Sequence, residues 1–302
     1  MNVSAAKFDR DDSLSDDLFY ARACSRHRGL INETEQDKLR NTRVAIPGMG
    51  GLGGLYGATL ARTGIGRFSI ADFDQFDVHN INRQYGAMAS TIGRDKVTVM
   101  RDIIADISPA AEIRMLNEPV GNDNIDRFLE GVDVVVDAMD VFSQTARRIV
   151  YSHARKRGIP VFSAAPLGFG AAMFNFHPEG MSYDEFAGLK DGMTEKRMAL
   201  HFICAIGTQG PHLKYMDTRG VGAEEGAAPS LGLACQIGAG MVAAEIVSYR
   251  LGRREPEWVP RFSQFDPYDR SYRRRHRRWG AKNPVQMLRM QILKRLIPAM
   301  ND

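Results

Sequence analysis

Gly48-Met-Gly50-Gly51-Leu-Gly53 is a run whose chemistry lies in missing side chains. It follows a short β-rich run and precedes a helical pattern, so bare backbone N–H groups would let a phosphate approach the positive end of a helix. Taken alone, the cluster fits a dinucleotide site, an ATP site or merely a tight turn. Asp72 ends the next predicted strand, roughly 20 residues on, where folds of this kind place an acid for ribose hydroxyls. Asp74 stands in the same Asp-Phe-Asp turn, and either carboxylate could instead cap a following helix.

Beyond that turn come Asn80-Ile-Asn82-Arg83-Gln84, then Gly93-Arg-Asp-Lys96, then Val134-Val-Val-Asp137-Ala-Met-Asp140. Asp-x-Asp, then Asn-x-Asn-Arg-Gln, then Gly-x-x-Lys is similar to the pattern of the ThiF/MoeB/HesA and ubiquitin-activating superfamily. The match covers about Tyr20 to Ala165, and more weakly Leu231 to Leu251. The resemblance implies an ATP-dependent adenylyltransferase that works with Mg2+ and activates a carboxylate. Carried over by position, Arg83 and Lys96 grip the phosphates, Asp72 holds the ribose and Asp140 holds the metal. Asn80 and Gln84 line the site, and Gly48, Gly50, Gly51, Gly53 and Asp74 complete the nucleotide pocket. The family has Asn after the second aspartate, whereas this chain has Val141. Of Arg22 and Arg26, the Ser25-Arg26-His27 context is the closer match to an arginine that crosses a homodimer to the partner's ATP; a surface salt bridge is the alternative.

These residue types suit the implied reaction. A substrate carboxylate attacks the α-phosphorus and pyrophosphate leaves, so charge builds on phosphate oxygens, where fixed cations and a metal supply the rate. The leading substrate is the C-terminal carboxylate of a small ubiquitin-like or sulfur-carrier protein, or of a peptide. A small-molecule or tRNA-borne carboxylate, as in threonylcarbamoyladenosine dehydratase, is the runner-up. An NAD-dependent oxidoreductase leaves Arg83, Lys96 and Asp140 unexplained, and a non-catalytic scaffold would be expected to lose motif residues.

The elements that would position these groups alternate. Strands are expected at Arg43–Pro47, Arg67–Asp72, Glu112–Leu116, Val132–Asp137 and Pro160–Ala165, with helices at Leu52–Thr63, Lys96–Ile107, Asp123–Leu129 and Gln144–Lys156. The fold class is therefore α/β: a Rossmann-like, doubly wound, mainly parallel sheet with a crossover insertion and a C-terminal antiparallel extension. The divisions are an N-terminal helical segment over 1–42, opened by an Asn32/Glu35 capping box, a nucleotide-binding core over 43–176, a crossover or substrate-binding insertion over 177–229, and completion of the core with a basic extension over 230–302. A strand over Phe169–Phe176, weak periodicity to about Pro229, a helix over Leu231–Leu251, a late strand at Phe262–Phe265 and a basic terminal helix near Val285–Leu296 fill the remainder.

The 302 residues, 44% hydrophobic and 25% charged, have the composition of an ordinary globular protein with a sizeable core. Net charge is only +4, with basicity gathered in Arg273-Arg-Arg-His-Arg-Arg278, a candidate for tRNA contact or a solvated face. No apolar stretch is expected to span a bilayer, and the acidic, polar start argues for a cytoplasmic protein. Cys24, Cys204 and Cys235 form no Cys-x-x-Cys pair, so neither disulfides nor zinc are expected. Cys204 and Cys235 lie in apolar helical contexts, and Gly220 to Pro229 holds no cysteine, so no thioester step is expected.

Overall fold

The computed structural model describes residues 14–207, 210–216, 229–297 and 300. Arg43–Pro47 (β1), Arg67–Ala71 (β2), Glu112–Leu116 (β3), Val134–Asp137 (β4) and Val161–Leu167 (β5) pair in parallel. Gly170–Phe176 (β6), Arg261–Asp266 (β7) and Ser271–His276 (β8) continue the sheet antiparallel, giving the order β3-β2-β1-β4-β5-β6-β7-β8. β1 and β4 are buried along their whole length because helices cover both faces, which is why they read as unbroken apolar runs. β1 pairs with β2 on one side and β4 on the other, so the strand order reverses there. A crevice outside the carboxyl ends of β1 and β4 is the place where such sheets hold ligands.

Gly53–Arg62 (α3), Lys96–Ile107 (α4) and Gly232–Arg250 (α9) cover one face, around Tyr56, Leu60, Phe68, Phe162 and Val242. Ile125–Phe128 (α5), Gln144–Lys156 (α6), Tyr183–Ala187 (α7) and Glu195–Gly207 (α8) cover the other, around Val135, Tyr151, Phe174 and Phe202. Pro284–Leu296 (α10) packs on α8 through Met290 and Leu293. Asp16–Ala23 (α1) and Glu33–Arg40 (α2) form an N-terminal arm; the Asn32/Glu35 capping box opens α2, and Tyr20 donates to the Gly64 carbonyl at 2.7 Å, just past the end of α3.

Three expectations need correction. Residues 177–229, expected to show only weak periodicity, contain α7, α8 and a 3-10 turn over Pro211–Lys214, while 217–228, which includes most of the cysteine-free Gly220 to Pro229 stretch, lies outside the described residues. The period of α8 is blurred because α6 and α10 both pack on it, so Met198, Ala199, Leu200, Phe202, Cys204 and Ala205 are all buried. The arginine run, for which no strand was expected, is mostly β8, the outer strand of the expected antiparallel extension. Finally, α9 is long and apolar enough to cross a membrane by length and composition, contrary to expectation; here it packs on β5, β6 and α3, with Ala234, Gly238, Val242 and Ile246 buried.

Candidate active site

The glycine run joins β1 to α3 at the carboxyl edge, and its glycines divide by what a Cβ would meet. Gly48 has φ +95°, and a Cβ on it would stand 2.6 Å from the Ala138 carbonyl oxygen; a Cβ on Gly53 would stand 1.8 Å from the Gly48 carbonyl oxygen. Those two are required by the turn itself. Gly50 and Gly51 instead keep the loop open toward side chains: their Cβ positions lie 3.5 Å from Gln84 Nε2 and 3.8 Å from Arg83 Cγ.

Asp72 follows β2 and closes on this loop. Its Oδ2 accepts the Met49 N–H at 2.6 Å and its Oδ1 the Asp74 N–H at 2.9 Å. Burial raises its carboxyl above the ordinary range, opposed by those two donors and by the Lys96 charge. Lys96, the first residue of α4, is buried and reaches Asp74 Oδ2 at 3.0 Å. Asp74 thus positions the lysine.

Asn80 to Gln84 supply the wall opposite. Buried Asn80 accepts the Asp77 N–H at 3.1 Å, which fixes the turn. Arg83 Nη1 donates to the His79 carbonyl and to Asn82 Oδ1, both at 2.9 Å, holding the guanidinium beside the glycine loop. Gln84 is buried, yet its Oε1 has no hydrogen-bond partner among the described residues. A buried amide oxygen without a partner costs on the order of 1–3 kcal/mol unless a ligand or water satisfies it.

The two aspartates after β4 have opposite surroundings. Asp137, 2% exposed, accepts from Arg147 Nε and Tyr151 Oη, both at 2.9 Å, and its Oδ1 takes the Met139 N–H at 3.1 Å. Asp140 is exposed and accepts the Phe142 N–H at 2.9 Å, leaving carboxylate capacity toward the crevice edge. Val141, where the family pattern has Asn, packs instead in the apolar clusters around α8. Among the described residues no three His, Cys, Asp or Glu side chains gather into a metal cluster. A Mg2+ ion does not need one, since it commonly uses one or two carboxylates together with substrate phosphates and waters.

Gly48, Gly50, Gly51, Gly53, Asp72, Asp74, Asn80, Arg83, Gln84 and Lys96 are therefore gathered around the β1–α3 and β2–α4 connections, with Asp140 at the adjoining end of β4. Arg26 is not among them. It sits exposed in a 3-10 turn over Ser25–His27, in the arm that packs beyond the far end of α3, roughly 15 Å of helix from the glycine loop.

A family model described as the ThiF family matches residues 24–286. The chain belongs to the ThiF family. Among its relatives is the tRNA threonylcarbamoyladenosine dehydratase of Bacillus subtilis, 36% identical over 141 residues, 46% of this chain and 55% of that one. Another is the molybdopterin-synthase adenylyltransferase of Salmonella typhimurium, 31% identical over 132 residues, 44% and 52% of the two chains. This ThiF chain spans about half the length of the curated relatives it matches. The crystal structure of PaaA shares the fold with a TM-score of 0.62 at 21% identity, over 91% of this chain and 86% of that one.

The helix expected at Leu231–Leu251 is α9, but its start was not expected to take part in the site. Asn82 Nδ2 donates to the Ser230 carbonyl at 3.1 Å, and a Cβ on Gly232 would stand 2.7 Å from the Asn82 carbonyl oxygen. Cys235 Sγ lies 3.4 Å from Ser230 Oγ and 3.2 Å from the Cβ position of Gly51, so this helix backs the glycine loop. A small-residue start to a long apolar helix was the available signal. Arg147 and Tyr151, which anchor Asp137, gave a weaker one: polar groups spaced four apart on an otherwise core-facing stripe of α6.

Proposed function

We propose that the chain uses ATP to adenylate a carboxylate borne by a peptide or by the C-terminus of a small carrier protein. A carboxylate oxygen bonds to the α-phosphorus as the bond to the β-phosphate bridging oxygen breaks; the products are an acyl-adenylate and pyrophosphate. The observation carrying this reading is the convergence of Arg83 and Lys96 on a glycine loop already faced by the unpartnered Gln84 amide. Two fixed cations suit the more highly charged triphosphate of ATP better than a dinucleotide, whose pyrophosphate carries less negative charge and whose oxidised nicotinamide ring is itself a cation. In this reading Asp72 takes the ribose, Gly50 and Gly51 admit the phosphates and Asn80 holds the wall that carries Arg83 and Gln84. Asp140 would hold Mg2+, which supplies charge neutralisation at the phosphates. Arg26 would act on the site of a second copy in a homodimer.

A protein or peptide carboxylate is favoured over a tRNA-borne one by the fate of the arginine run. Arg273 pairs with Asp269 at 2.8 Å and Arg274 with Glu257. Arg277 is buried between the rings of Phe186 and Phe262, and burial pulls its pKa down to about 10. Cations already engaged within the protein release few counterions on meeting RNA. The test is ATP–pyrophosphate exchange screened against free-carboxylate peptides, sulfur-carrier proteins and carboxylate-bearing tRNA, with thermal melts alongside. Exchange with the first two classes and a melting temperature raised by Mg-ATP but not by NAD are expected. A melt shifted by NAD alone would remove the adenylation reading.

A further inference from the structure

Three aromatic rings stand together at the carboxyl edge, outside every residue assigned above. Phe169 lies at the tip of the β5–β6 hairpin, Tyr215 follows the 3-10 turn over Pro211–Lys214, and Tyr268 lies in the β7–β8 turn. Their centroids are 5.7 Å (Phe169–Tyr215), 5.1 Å (Phe169–Tyr268) and 4.6 Å (Tyr215–Tyr268) apart. The group is held from beneath. Tyr215 Oη donates to buried Asp266 at 2.8 Å and accepts the Phe169 N–H at 3.0 Å. Gly168, at φ +62°, has no room for a side chain, because a Cβ would lie 2.2 Å from the Tyr215 hydroxyl. Yet the outer faces are open: Tyr268 is 63% exposed and Phe169 37%.

Position gives the cluster a meaning. Asp137 at the end of β4 pairs with Ser163, but β5 continues to Leu167 before turning. The hairpin therefore rises about 13 Å past the end of β4 at ~3.3 Å per residue. Its tip stands at the same edge of the sheet as the end of the neighbouring β4, from which Asp140 follows three residues later. Of the cations beside the rings, Lys214 and Arg273 both close on Asp269, at 3.0 and 2.8 Å, while Arg270 stands exposed in the same turn. A phosphate-rich chain would need more than one free cation there; an uncharged ring needs only flat, preordered faces.

We propose that Phe169, Tyr215 and Tyr268 form a specificity platform that receives an aromatic side chain of a substrate peptide, upstream of the carboxylate to be adenylated. This rests on the peptide-carboxylate reading above. With the carboxylate held level with the end of β4, the rise of the hairpin corresponds to about three to five extended residues at ~3.3 Å each, which sets the expected position of the recognised ring before the C-terminus.

The probes are octapeptides of Gly and Ser with a free C-terminus, either ring-free or carrying one Phe at each position in turn. Mg-ATP-dependent pyrophosphate release gives kcat and KM, and NMR line broadening of the Phe ring protons reads binding without turnover. Phe three to five residues from the end is expected to lower KM about tenfold against the ring-free peptide and to broaden selectively. Tyr268→Ala, at an exposed turn, should erase that preference while leaving kcat and the ring-free KM unchanged. Equal KM and equal broadening at all positions, or a ring preference that survives Tyr268→Ala, overturns the platform while peptide adenylation stands. Pyrophosphate release with carboxylate-bearing tRNA and neither release nor broadening with any peptide overturns the platform together with the peptide reading.

Discussion

Two pairs of like residues in this site are predicted to behave unlike each other. In Gly53→Ala the new Cβ would press on backbone, 1.8 Å from the Gly48 carbonyl oxygen, so the protein should fail to accumulate in soluble form. Gly50→Ala meets only the Gln84 amide at 3.5 Å, an ordinary contact; it should fold and melt normally but lose the thermal shift that Mg-ATP gives. The aspartates split the same way. Asp137→Asn leaves Arg147 as an uncompensated buried charge and should cost about 3–5 kcal/mol in urea unfolding with intact secondary structure below the midpoint. Asp140→Ala removes an exposed carboxylate, so pyrophosphate exchange should vanish with the melting temperature unchanged, and Arg83→Ala should slow exchange roughly a hundredfold. Normal exchange in both of the latter variants would show that the residue roles are misplaced. The residues proposed for the site could be picked out in sequence because they are local: Asp72, Arg83, Gln84 and Lys96 lie within one strand–turn–helix stretch. Asp137 was not readable as an anchor, since its partners come from the next helix and only packing brings them together.

At the scale of elements, the parallel half was legible to within a residue or two, because β1 and β4 are apolar apart from Arg43 and Asp137 at their ends and α4 carries an amphipathic stripe. α8 escaped because a helix packed on opposite sides loses the polar face that periodicity needs, and β8 escaped because its arginines hid a strand whose residues alternate between half-buried and exposed. α9 shows how element and chemistry meet. It brings Cys235 against the glycine loop, where burial raises the thiol pKa while the Ser230 hydroxyl and the Arg83 charge oppose. A protonated, 1% exposed thiol is a poor nucleophile at neutral pH. A variant with Cys24, Cys204 and Cys235 all replaced by Ala or Ser should still form acyl-adenylate, checked by exchange beside circular dichroism. Its melting temperature should fall, because Cys204 and Cys235 fill core space. Loss of adenylation in a folded triple variant would assign a thiol to the chemistry.

For the whole molecule, the N-terminal arm raises the question of how many chains make one site. Arg26 is tied by α1 and Tyr20 to the end of α3 remote from the glycine loop, so any part it plays in adenylation is played in another copy. Arg26→Ala and Asp140→Ala chains, each inactive alone, should on mixing and exchange recover about a quarter of normal exchange, the share of sites in random two-fold dimers that receive both intact groups. No recovery from subunits shown to have exchanged would remove Arg26 from the mechanism. The sheet carries a consequence at this scale as well. Its outer strand β8 ends in open backbone, the kind of surface on which strands of other molecules can zip. Along it, Arg273 and Arg274 are paired with Asp269 and Glu257, and Arg275 between them and His276 adds a further positive charge to the rim. Two such rims meeting side by side would force like charges together. The basic run would then act as a colloidal guard, disfavouring edge-to-edge stacking of crowded copies into fibres.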